Sequence, residues 1–173
     1  MELYRSPCEA YPFLSDESDD LRCDFELLTD AMASRTGLLR AQVEDRALGE
    51  ELLWICELIY NINPTLRTFF SVTEGEIGRL RAAVERLERE CAGRCGLFVL
   101  TQGCEAACTA HILRVDAKRL VRLIYRHARQ GHPVPPELLD TANLLSGYFF
   151  RLALKLNALA GVEEIPYASR NYR

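Results

Sequence analysis

Apolar residues recur along this chain every three to four positions, and no stretch shows the two-residue alternation of a half-buried strand. That one periodicity restricts the fold to helices packed on helices. Five segments carry it, each with its own start or stop signal. The first follows the acidic run Ser15-Asp16-Glu17-Ser18-Asp19-Asp20, whose side chains suit an N-cap and the positive end of a helix dipole. It is expected to reach about Glu44, with Leu21, Phe25, Leu28, Met32 and Leu39 inward. The second runs from about Leu48 to Ile62 and stops before Pro64. Its Leu52, Leu53, Ile55, Leu58 and Ile59 leave several sides apolar, which predicts a central position. The third covers about Glu74 to Cys91, opens on a Thr73/Glu76 capping box and turns Leu80, Ala83, Val84 and Leu87 inward.

The fourth helix is expected from about Glu105 to Gln130, with Gly131 as its stop. Pro133, Pro135 and Pro136 mark the connection to the fifth, which ends near Gly161. Leu138, Leu139, Ala142, Leu145, Phe149, Leu152, Leu156 and Leu159 supply its core face. Residues 142–154 are apolar almost all round, which predicts burial on two sides, by the bundle and by a neighbouring subunit. The expectation is one all-α, five-helix bundle domain over residues 1–173, with irregular segments at 1–18 and 162–173. Aromatic and basic residues suit the tail to packing back on the body.

A chain of 173 residues, 49% of them hydrophobic, is long enough to bury one sizeable core. Its net charge of −4 argues against nucleic acid as a partner. The opening MELYRSPCEAYPFL shows no basic leader followed by a long apolar run, so no signal peptide is expected. No apolar stretch approaches the roughly 18 residues that span a bilayer. The best candidate, Leu144 to Phe150, is interrupted by Ser146 and Gly147. A cytoplasmic protein without a membrane partner is expected. Seven cysteines then read as reduced thiols, mostly small buried apolar groups.

The informative stretch is Phe98 to Arg122, FVLTQGCEAACTAHILRVDAKRLVR. On a helix that begins near Glu105, His111, Arg114 and Lys118 share one face, and Arg122 continues it. Leu113, Ala117, Leu120 and Ile124 form an apolar stripe beside it. Fixed cations along a core stripe are what a polyphosphate site needs, although periodicity alone equally describes a solvated charged face. Cys104, Cys108 and His111 lie on one helical face, and Cys91 and Cys95 are similarly spaced. Structural zinc sites use a tighter C-x-x-C turn, and small thiols at a close helix contact account for the cysteines, so no metal site is expected.

The same stretch resembles the PduO-type ATP:cob(I)alamin adenosyltransferases. Their pattern F-x-L-P-G-G, a spacer and H-x-x-R-x-x-x-R-R-x-E-R is similar to Phe98-Val99-Leu100-Thr101-Gln102-Gly103 followed by His111, Arg114, Lys118, Arg119 and Arg122. Their N-R-L-S-D-x-x-F-x-L-A-R is similar to Asn143 through Leu154, and G-V-E-E-V-P-W to Gly161 through Tyr167. The resemblance implies a five-helix bundle, normally a homotrimer with sites between subunits. It implies transfer of the 5′-deoxyadenosyl group of ATP to the cobalt of cob(I)alamin, with Mg2+ as a cofactor and a cobalamin-dependent enzyme as recipient of the product.

Residue by residue, the resemblance implies that Phe98 lies beneath the corrin, although a core aromatic is the plain alternative. Arg114 pairs with an aspartate near the cobalamin, for which Asp19 and Asp24 are the candidates. Lys118, Arg119 and Arg122 meet the phosphates and Asn143 contacts ATP. His111 stands at the cobalamin-side histidine, or is simply a core imidazole. Several family features are absent. The loop T-K-T-G-D-x-G is missing, and no glycine precedes Gly37. Val121 replaces a glutamate, Gly147 an aspartate and Lys118 an arginine. The acidic N-terminal segment or Ser169-Arg170-Asn171 is left to supply the loop's role. A non-catalytic corrinoid-binding or cobalamin-delivery bundle is the alternative reading.

Overall fold

The computed structural model describes residues 4–94 and 98–171. Its helices are α1 (Leu21–Ala41), α2 (Arg46–Ile62), α3 (Glu74–Glu90), α4 (Glu105–Arg129) and α5 (Pro136–Leu159). All five expected helices form, and side-chain caps set the starts of α1, α2 and α3. Asp20 caps α1 by accepting the Arg22 N–H, and Thr73 with Glu76 forms the reciprocal box on α3. The first joint differs from expectation. Asp45 accepts the Leu48 N–H at 2.8 Å, so α2 begins at Arg46 rather than Leu48. Helix α1 ends at Ala41 rather than Glu44, with Gln42 as its C-cap.

The helices pack in the order α2, α1, α4, α5, α3. Side chains then close the ring between α2 and α3. The Arg79 guanidinium lies 3.9 Å from the Trp54 ring centroid, and Glu51 accepts from both Tyr148 Oη and Arg86. Helix α2 is therefore not central, and Leu53 is exposed on it. Helix α5 is buried on two sides by α4 and α3 of the same chain. Its last turn escapes the core and leaves Leu159 exposed. Arg67 pins the N-terminal segment across α1. Its Nε donates to Glu26 at 2.7 Å, its Nη2 to Asp16 at 3.1 Å, and its guanidinium stacks 3.6 Å from the Phe13 centroid. Tyr11 Oη also donates to Glu26, and burial first, then this bond, pushes its pKa up to about 12.

Helices α1 and α4 run antiparallel. Gln130 donates to the Asp19 carbonyl, Arg35 meets Asp116, and Gln42 donates to Glu105. This register fixes which residues of α1 face each level of the cationic helix. No helix of the described residues is long and apolar enough to cross a membrane. The six described cysteines are free thiols; Cys23 and Cys91 are buried, and Cys8 is exposed. Cys95 lies outside the described residues, so its spacing from Cys91 has no structural reading.

Candidate functional site

The site begins at the loop that feeds α4. Gly103 adopts φ 136°, and a Cβ there would stand 1.8 Å from Asn157 Oδ1. Only glycine lets the loop approach α5 this closely. Asn157 is fully buried; its Oδ1 accepts the Cys104 N–H at 3.1 Å, and its Nδ2 donates to the Gln102 carbonyl and to Glu164. The tail completes the clamp. The Leu100 N–H donates to the Ile165 carbonyl at 2.9 Å, and the Tyr167 N–H to the Phe98 carbonyl at 3.0 Å. The expected packing of the tail onto the body takes this form, a single bridge between Val99 and Pro166.

So held, the loop presents Phe98, 53% exposed, at the edge of a groove of about 330 Å³. Thr101 joins it from the loop, Arg114 and Lys118 from α4, and Ser146, Gly147 and Phe150 from α5. The concavity continues over α4 as a groove of about 440 Å³ shared by Thr101, His111, Arg114 and Arg119. It extends toward α1 as one of about 460 Å³, where Lys118, Arg119, Arg122 and Arg126 surround Leu28 and Val115. The cationic stripe thus lines three neighbouring grooves that share residues, together called the channel below, rather than a featureless face.

Arg114 is half-buried, with its Nε unbonded and its guanidinium 6.0 Å from the Phe150 centroid. Burial lowers its pKa. Among the described residues, Arg114, Lys118 and Arg122 have no acidic partner. Arg119 has one: its Nη1 donates to Asp116 at 3.1 Å. Asp116 is 1% exposed and also accepts from Arg35 of α1. Sequence reading missed Asp116, whose signal is an acid set into the apolar stripe between Leu113 and Leu120. It also missed Asn157. His111 is buried with both ring nitrogens unbonded, its centroid 6.3 Å from that of Phe150. Burial first, then the Arg114 charge, pushes its pKa down to about 4. The imidazole is neutral at pH 7.

Three expected residues do not reach the groove within one chain. Asn143 is exposed, and its Nδ2 donates to the Leu139 carbonyl of its own helix at 2.9 Å. Asp19 lines a separate cavity of about 1030 Å³ at the far end of α4, with His127 and His132. Asp24 is exposed in the first turn of α1. The antiparallel register sets it opposite the last third of α4, roughly 15 Å of helix from Arg114. The Arg114–Asp24 pairing is therefore not made inside one chain. Among the described residues, no group of three or more His, Cys, Asp or Glu is placed to hold a metal ion. Cys108 instead turns its thiol toward the Gly103 carbonyl at 3.8 Å.

The chain matches the protein family described as cobalamin adenosyltransferase over residues 17–156, which takes in α1 to α4, most of α5 and the groove. A corrinoid adenosyltransferase of Bacillus subtilis (strain 168) is 26% identical over 160 residues, 87% of this chain and 82% of the relative. Two solved variants of a PduO-type ATP:corrinoid adenosyltransferase from Lactobacillus reuteri are complexed with cobalamin and ATP. In one a phenylalanine is replaced by alanine. It superposes with a TM-score of 0.75 at 21% identity, covering 87% of each chain. In the other, phenylalanine to histidine, the TM-score is 0.77 at 20% identity, covering 95% of this chain and 98% of that one. An arginine-to-lysine variant from the same organism, complexed with ATP, gives 0.76 at 23% identity over 86% and 88% of the two chains. Those identities speak for the fold, whereas the family match spans most of the sequence: the chain belongs to the cobalamin adenosyltransferase family.

Proposed function

We propose that this protein transfers the 5′-deoxyadenosyl group of ATP to the cobalt of a reduced corrinoid and releases triphosphate. The observation that carries the reading is the lining of one groove by Phe98, Arg114 and Lys118 together. In this reaction the substrate's Co(I) supplies the attacking electron pair. The Co–C5′ bond forms as the C5′–O bond breaks, and the triphosphate leaves with that bond's electrons. No protein nucleophile is required. The chain's tasks are to hold ATP in line, to neutralise the leaving group and to shape the space around the corrin.

Each task has residues. Among the described residues, Arg114, Lys118 and Arg122 are cations without acidic partners along the channel, so a triphosphate displaces no ion pair of theirs on meeting them. Lys118 acts as a point charge, without the two-pronged fork of an arginine. Phe98 offers an exposed apolar ring to the lower corrin face, where it disfavours an axial ligand. Four-coordinate cobalt is the more easily reduced form. His111 stays neutral and adds a wall beside Arg114. The related structures that hold cobalamin and ATP support the reading. Their altered phenylalanine and arginine stand at the same separation as Phe98 and Lys118 do in this chain.

A homotrimer fits the exposed apolar residues Ile112 and Val115 beside the cations of α4. In such an assembly Asn143, Asp19 and Asp24 meet a groove only if a neighbouring copy supplies it. Mg2+ arrives on the ATP phosphates, because Asp116, the one carboxylate lining the channel among the described residues, already serves two arginines. Delivery of the product to a cobalamin-dependent enzyme in the cytoplasm completes the reading.

The test is incubation with ATP and chemically reduced cobalamin, read by the adenosylcobalamin spectrum. Product is the expected result. Cobalamin binding without product favours a non-catalytic corrinoid-delivery bundle, the reading to which Val121 and Gly147 lend weight. Absence of both binding and product overturns the two together.

A further inference from the structure

Among the described residues, Arg119 is the one cation of α4 held in an ion pair. Arg119 is 69% exposed, yet its Nη1 is tied at 3.1 Å to a carboxylate that is itself 1% exposed. The same carboxylate accepts from Arg35, which reaches it from α1 across the helix pair. Arg119 and Val115 are the two residues that line both of the grooves along this side of α4. Arg114, Lys118 and Arg122 line the same grooves and form no ion pair among the described residues.

A free exposed arginine spreads over many rotamers, and ordering it costs part of any binding energy it provides. A guanidinium carries five N–H donors. With one committed to Asp116, the remaining donors hold a fixed direction along the channel. From this we propose that Asp116 is a positioning residue for nucleotide binding: anchored to α1 through Arg35, it orients Arg119 toward the phosphates of ATP. The proposal rests on the adenosyltransferase reading and extends it to a residue that touches no substrate. Asp116 itself faces an anionic ligand with the wrong charge. Its contribution therefore runs through Arg119 and not through contact.

The test is a mutant cycle read in KM for ATP and in kcat. Asp116→Asn should raise KM for ATP roughly two- to tenfold, the cost of ordering one long side chain, with kcat within about twofold. Arg119→Ala should raise KM at least as much. In the Arg119→Ala background, Asp116→Asn should add nothing further. The proposal is overturned if Asp116→Asn leaves KM unchanged, or raises it by the same factor with and without Arg119. Should Asp116→Asn fail to fold, Arg119→Lys replaces it. That variant keeps the charge at an exposed position but loses the fork, and it should reproduce the KM increase; an unchanged KM overturns the proposal. Calorimetric titration with ATP separates the two levels of failure. If the wild type binds ATP without turnover, the activity reading falls while the affinity difference still decides the role of Asp116. If the wild type binds no ATP, both fall.

Discussion

His111 and Arg114 are neighbours on one helix face whose burial has opposite uses. His111 is held neutral, with its pKa near 4 against 6.5 in an unfolded chain. Between those values the unfolded state binds a proton that the native state does not, so stability rises with pH across that window. The contribution is complete above about pH 6.5 and is lost as pH falls toward 4. It amounts to about 3 kcal/mol, because a tenfold change in proton affinity between the two states corresponds to about 1.4 kcal/mol. His111→Leu should flatten most of that slope in urea unfolding midpoints measured from pH 4 to 7. Some slope should remain, since burial lowers the pKa of His127 as well. An unchanged slope would show that the ring is not the group responsible. Arg114 is half-buried beside Phe150, and the proposed reaction asks it to meet the charge that develops on the leaving triphosphate. Arg114→Ala should lower kcat/KM by at least about a hundredfold while leaving helical circular dichroism intact. A loss below threefold would remove Arg114 from the chemistry.

The helices were legible because most carry their own punctuation: caps open α1 and α3, and a proline opens α5. Asp45 shows the limit of that reading: a cap two residues before the periodic pattern moves a boundary that periodicity alone sets at Leu48. Periodicity also measures how apolar a helix is, not what lies beside it. That is why α2 reads as central from its residues yet packs mainly on α1, with Leu53 in solvent. The cations of the site were legible as a stripe. Asn157 and Asp116 were not, because single polar residues gain meaning only from partners 55 and 81 positions away. The loop that presents Phe98 depends on Asn157, so Asn157→Ala should cost about 2–3 kcal/mol by stranding the Cys104 N–H and the Gln102 carbonyl. The same variant should raise KM for cobalamin more than KM for ATP, since the loop carries Phe98 and α4 carries the cations. Equal changes in the two constants would mean that the clamp serves only the general stability of the bundle.

The whole molecule presents the proposed site on a face that is also partly apolar. Ile112 is 52% and Val115 39% exposed, and both lie on α4 among Arg114, Asp116 and Arg119. Charged neighbours are a poor setting for isolated apolar side chains in water, and a good one for a contact that traps a ligand between two copies. Burial of such surface contributes about 25 cal/mol per Å², so two branched side chains and the stems of the adjacent arginines supply useful adhesion. The acids that one chain keeps away from Arg114 make the same point. Asp24 is fixed far along α1 by the antiparallel register, so an acid from α1 reaches that arginine only from another copy. Assembly and activity should therefore fail together. Ile112→Glu puts a charge at a position already in solvent in the single chain, so the helical signal and the unfolding midpoint of the isolated chain should change little. Analytical ultracentrifugation should show the wild type as a trimer and the variant as a monomer, and the adenosylcobalamin assay should show activity lost in step with assembly. A monomeric variant that keeps full turnover would place the complete site within one chain and end the intersubunit reading, while leaving the groove formed by Phe98, Arg114 and Lys118 in place.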